Sequence, residues 1–141
     1  MQFHISDDVF FVFVEKDEEV YSILTQFLIH HNIYNGTVSG IGAVKNCVLG
    51  AYNPETKQYN KKVFEDAHEL ISIDGNITMK DGKPFLHAHV LLSDHEMNAF
   101  GGHLFEATVA VVGEFIIRKI NGDAQRTLNS KIGLATWNLS E

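Results

Sequence analysis

The stretch Leu86-His87-Ala88-His89-Val90-Leu91-Leu92 decides the fold. Its period of two sends Leu86, Ala88, Val90 and Leu92 to one face and His87 and His89 to the other, the alternation of a half-buried β-strand. Pro84 has no N–H to donate and can only begin such a strand, and Lys80-Asp81-Gly82 before it makes a tight turn of the hairpin kind. Upstream, residues 69–73 and 76–79 read as short strands broken by Asp74 and Gly75. Residues 37–52, where Gly40, Gly42 and Gly50 interrupt Val, Ile and Leu, read as one long or kinked strand. A turn at Asn53-Pro54-Glu55 leads into a polar strand or loop over 56–65. Downstream come a polar loop over 93–98, the Gly101-Gly102 pair, and a strand pair across 107–120 with a bend at Gly113. The Asn121-Gly122 turn opens a polar C-terminal segment.

Only one segment has helical spacing. After the buried strand at residues 10–14, Val20, Ile23, Leu24, Phe27, Leu28 and His31 recur at helical intervals. Asp17, Glu18 and Glu19 lie where a helix N-terminus favours negative charge, His30 and His31 fill the last turn, and Asn35 with Gly36 supplies the stop. Strands that follow one another through short turns, with one helix, predict an α+β class: a single domain over 1–141, mainly antiparallel sheet with one principal helix packed on it.

Composition agrees. With 141 residues, 45% hydrophobic and 11% aromatic, the chain can bury one core and is neither disordered nor long enough for two ordinary domains. A net charge of −7 repels a phosphate backbone, so DNA binding is electrostatically disfavoured. Cys47 is the lone cysteine, which excludes an internal disulfide and a thiolate zinc cage. No run approaches the ~18 to 20 apolar residues of a membrane span. A cytoplasmic protein is expected.

Eight histidines in so short a chain make their spacing the main functional signal. On a strand, the Cα atoms of His87 and His89 stand roughly 6.6 Å apart with both imidazoles on one side, so two rings can converge on one ion. His103 follows a loop long enough to fold back onto a neighbouring strand, and Gly101 with Gly102 permits close backbone approach. Three neutral imidazoles with an open position fit a catalytic metal site better than a closed structural one. The alternative is that the pair is simply the polar face of a half-exposed strand. His95 is expected in solvent, and His4 and His68 as structural or surface residues. Glu114, between Val112-Gly113 and Phe115-Ile116, is a carboxylate in an apolar strand that needs a partner. Either a salt bridge to Arg118 or Arg126 explains it, or a place near the metal as a catalytic acid or base.

Gly75-Asn76-Ile77, Gly82-Lys83-Pro84-Phe85-Leu86-His87-Ala88-His89 and Gly101-Gly102-His103-Leu104, with Ser39-Gly40-Ile41-Gly42-Ala43, resemble the signature of the plants and prokaryotes conserved domain, the PPC family. The resemblance spans nearly the whole chain. It implies an α+β fold and a homotrimer whose subunit clefts hold the three histidines. The fold is also similar to that of acetolactate decarboxylase, where three histidines hold zinc. Metal binding at His87, His89 and His103 follows from the resemblance as an expectation, with zinc as the cofactor and a small anionic molecule as ligand. The plant members are nuclear DNA-binding proteins with an AT-hook, and stand-alone prokaryotic members often carry a DNA-binding label. The chain departs from the pattern in three ways: it has no Arg-Gly-Arg-Pro hook; Phe13 stands where many prokaryotic relatives carry a first-strand Arg, and Asp17 where a Gly usually precedes the helix; the C-terminal motif survives only as Arg126, Asn129, Ile132, Gly133 and Leu134.

Overall fold

The alternation around His87 does build a strand. β6 (Lys83–Ser93) buries Pro84, Leu86, Ala88, Val90 and Leu92 and turns His87, His89 and Leu91 to the other face. The computed structural model describes residues 1–139. Before β6 come β1 (Gln2–Ser6), β2 (Val9–Val14), α1 (Val20–His30), β3 (Gly36–Asn53), β4 (Gln58–Phe64) and β5 (His68–Lys80). After it come β7 (Ala99–Lys119), β8 (Gln125–Asn129) and β9 (Leu134–Asn138). The strands form one sheet in the order β1-β2-β7-β3-β5-β8-β9, with β4 on β3 and β6 bonded to both β5 and β7. Because β6 has both neighbours, β3, β5, β6 and β7 close a circuit of antiparallel pairings. Among the described residues the one parallel strand pairing is Met79 with Gln125.

The helix packs its Val20, Leu24, Phe27 and Leu28 face on the sheet, into a core shared with Val14, Leu86, Leu92, Phe115 and Ile117. Tyr21 Oη donates to the Leu86 carbonyl at 3.2 Å, tying the helix to the back of the strand that carries the histidines. The other face of the sheet keeps large apolar residues in water: Phe11 is 48%, Ile41 56% and Val111 62% exposed.

Several details differ from the sequence reading. The helix begins at Val20, and of the three acidic residues only Glu19 caps it, accepting from the N–H groups of Tyr21 and Ser22 at 3.0 and 2.6 Å. Asp17 lies outside in a left-handed conformation (φ 69°) and pairs with Lys45. The stop is Asn32 (φ 52°), not Asn35-Gly36: Ile33 N–H reaches the Leu28 carbonyl at 2.9 Å in a Schellman closure. β5 runs unbroken through Asp74 and Gly75, because Gly75 is a close approach in mid-sheet, where an added Cβ would lie 2.7 Å from the His87 carbonyl oxygen. Residues 107–119 are not a strand pair but part of the single long β7, and Ile120 lies just beyond its end. The polar C-terminal segment forms a hairpin, β8–β9, and β1 was not foreseen.

Candidate metal centre

β6 presents His87 and His89, and β7 places His103 directly across from His89. Glycine makes this approach feasible: a Cβ on Gly101 would sit 2.3 Å from the Val90 carbonyl oxygen of β6. The three ring centroids are 5.1 to 5.5 Å apart, and each imidazole offers a nitrogen within 4.8 Å of the other two. His87 and His103 are half-buried while His89 is exposed, so the group opens to solvent on one side.

Two observations test the fit to a metal. His103 Nδ1 is buried without a hydrogen-bond partner, a deficit that costs about 1–3 kcal/mol unless something ligates it. Two of the rings, His103 and His87, are also biased toward the neutral form, the one that binds metal. Burial, then the neighbouring His87 and His89, push His103 down to about 4, and burial with the Arg126 charge lowers His87. The residues therefore fit a divalent metal ion.

The same shift sets a pH dependence. His103 is neutral in the folded metal-free chain down to about pH 4, whereas the unfolded chain takes up that proton near 6.5. The unfolded state binds more protons in that window, so stability rises with pH. The melting temperature of the metal-free protein should fall as pH drops from about 6.5 toward 4. A His103→Gln variant should lose part of that slope.

The surroundings are cationic and aromatic. Arg126 Nη2 approaches His87 Nδ1 at 3.2 Å, Tyr59 packs on His103 with centroids 5.0 Å apart, and Phe105 does so at 4.8 Å under the Lys61 ammonium. Sequence spacing gave no role to Arg126 beside the histidines; it figured only in the partly kept C-terminal motif and as a candidate partner of Glu114. Glu114 is not brought to the histidines. It lies farther along β7 between Phe13 and Ile41, exposed, lining an apolar groove of about 800 Å³ with Phe3, Phe11 and Ile116. Neither Arg118 nor Arg126 pairs with it, and an exposed carboxylate needs neither. Cys47 is buried, which pushes its thiol up to about 12 and makes it inert. His95 is exposed, His4 lines the apolar groove, and His68 packs on Phe64 and Phe100.

Among the described residues, no helix is long and apolar enough to cross a membrane. No curated protein matches the chain. Solved structures do. A candidate DNA-binding protein from Bacteroides thetaiotaomicron is 28% identical, with 97% of this chain and 96% of that one covered and a TM-score of 0.94. A plant- and prokaryote-conserved (PPC) protein from Pyrococcus horikoshii is 33% identical over 99% and 96%, TM-score 0.87. A metal-containing protein from Archaeoglobus fulgidus is 33% identical over 98% and 97%, TM-score 0.86. The sequence pattern of the Plants and Prokaryotes Conserved (PCC) domain matches residues 1–121, a span that holds all three histidines and both glycines that seat them; the chain belongs to that family.

Proposed function

We propose that this protein is a homotrimer with a divalent metal, zinc by ligand type, held by His87, His89 and His103, and that the open side of the site takes a small anionic ligand. The observation that carries this reading is the convergence of three imidazoles, one of which, His103, has a buried Nδ1 without a partner. The metal-containing relative from Archaeoglobus fulgidus supports it. A bound zinc ion would supply Lewis acidity toward a carbonyl or carboxylate. The chain's own part is to keep His87 and His103 neutral and to surround the rings with the Arg126 and Lys61 charges, which favour an anion in an otherwise acidic protein. As a catalytic acid or base Glu114 would have to act across a subunit boundary, since its own chain places it in the apolar groove.

Untagged protein purified without chelator is expected to carry close to one ion per chain and to lose it in His89→Ala. No ion, even after zinc or manganese is added back, would overturn the reading. The apolar outer face supports the oligomer, because monomers rarely expose contiguous apolar patches beyond a few hundred Å². Phe11→Glu places a charge on that face and should shift the light-scattering mass from trimer toward monomer; an unchanged mass would move the interface elsewhere.

DNA binding is the second reading, favoured by the name of the Bacteroides relative. The net charge of −7 opposes a phosphate backbone, and of the local lysines Lys62 lies over Phe64 while Lys57 Nζ donates to the Ser130 carbonyl at 3.1 Å. Fluorescence anisotropy should show no salt-sensitive affinity for duplex DNA.

A further inference from the structure

The C-terminal hairpin meets the sheet at few points. One parallel pairing joins Met79 to Gln125, and Met79 N–H donates to the Ala124 carbonyl at 3.1 Å. Yet it delivers Arg126 to the histidines and fixes it there. Nε donates to Thr78 Oγ1 at 3.1 Å, Nη1 to the Ala135 carbonyl at 3.0 Å and Nη2 to Asn76 Oδ1 at 2.7 Å. A further Nη2 N–H faces His87 Nδ1 at 3.2 Å.

A guanidinium can only donate, so Nδ1 accepts and neutral His87 carries its proton on Nε2. That bond and metal ligation by His87 exclude each other in either ring orientation. An ion on Nδ1 takes the lone pair that the bond uses. An ion on Nε2 sends the proton to Nδ1, where it points at another N–H. Ligation therefore releases one Arg126 N–H while three other bonds hold the guanidinium beside the site. A half-buried charged donor left without an acceptor is costly, and an oxyanion is the partner that removes the cost. Lys61, reaching in from β4 over Phe105, adds a second cation.

We propose that Arg126 makes metal and carboxylate bind cooperatively, with metal loading releasing the guanidinium from His87 to a small dicarboxylate whose second charge meets Lys61. This rests on the three-histidine metal reading. By reciprocity, the carboxylate tightens the metal by the same factor that the metal tightens the carboxylate.

The test is calorimetric titration of zinc into the full chain, alone and with succinate, acetate or uncharged succinamide. Succinate should tighten zinc binding about tenfold, within the usual range of coupling between sites, acetate less, and succinamide not at all. Arg126→Gln should bind zinc alone at least as tightly as the unmodified chain, since a competing donor and a positive charge are gone, but should lose the gain from succinate. Equal zinc affinity with and without succinate in the unmodified chain overturns the proposal, as does a full succinate gain in Arg126→Gln. If that variant fails to fold, Lys61→Gln, which leaves the hairpin intact, should still reduce the preference for succinate over acetate. An unmodified chain that binds no zinc brings down the metal reading itself, an outcome distinct from zinc binding without coupling.

Discussion

His103→Ala is expected to abolish stoichiometric metal binding, with a loss exceeding the about 10- to 100-fold that removal of an outer partner of a metal ligand costs. His103 is the deepest-held of the three rings: it is flanked by Tyr59 and Phe105, and its Nδ1 has no protein partner to compete with an ion. It is also the ring whose protonation is driven lowest, so it stays a competent ligand at acid pH where an ordinary imidazole is charged. Removing it leaves His87, which Arg126 engages, and the exposed His89. Elemental analysis of ions per chain and the shift of melting temperature on adding zinc both read this out. A ligand that binds only the folded state raises Tm, so the unmodified protein should be stabilised by zinc and the variant should not. A variant that kept tight, stoichiometric zinc would mean that the ligand set is not the three histidines.

The second large effect concerns the sheet. Phe115 is almost fully buried on β7, with its ring over two glycines: a Cβ on Gly40 would meet it at 2.5 Å and one on Gly113 at 2.8 Å. Ile73 and Val109 border the same hollow, but neither matches the volume of the ring. Phe115→Ala should therefore cost about 3–5 kcal/mol, the range for deleting a buried aromatic. At about 2–4 °C per kcal/mol for a slightly larger chain, Tm should fall by roughly 10 °C. Denaturant unfolding should show a lower midpoint with an unchanged slope. Below the new Tm the variant should still bind zinc, because β7 is pinned beside His103 by its own pairing with β6. A fall below about 1 kcal/mol would mean that the strands close over the gap.

The histidine pair was legible in the sequence because a strand's period leaves no freedom once one face is apolar: Leu86, Ala88, Val90 and Leu92 must point inward, so His87 and His89 cannot. His103 was legible through its glycines. What escaped notice was short or had no buried face. β1 alternates as Gln2-Phe3-His4-Ile5-Ser6 but over only five residues, all of them exposed, and β8 buries none of its residues. Gly75 carried two meanings that composition cannot separate, a break or a close approach, and the carbonyl of His87 selects the second. The helix stop was placed too late because asparagine at position 32 does the work usually assigned to glycine. Glu114 misled for a simpler reason: flanking apolar residues signal a strand, but they do not say that both faces of it are covered. Arg126 acts through the third dimension alone, meeting Asn76, Thr78 and His87 from a distant part of the chain.

The β8–β9 hairpin contributes no residue to the main core among the described residues, whose last member in chain order is Ile117. Its side chains can thus change without repacking the interior, while His87, His89 and His103 ride on strands that the interior holds in register. Inheritance of the metal and divergence of what the metal meets are separable in such a design. Lineages could exchange or rewrite the hairpin as a module, altering which molecule is recognised in few mutational steps and leaving foldability intact. A common metal centre would then be a poor guide to a common physiological ligand.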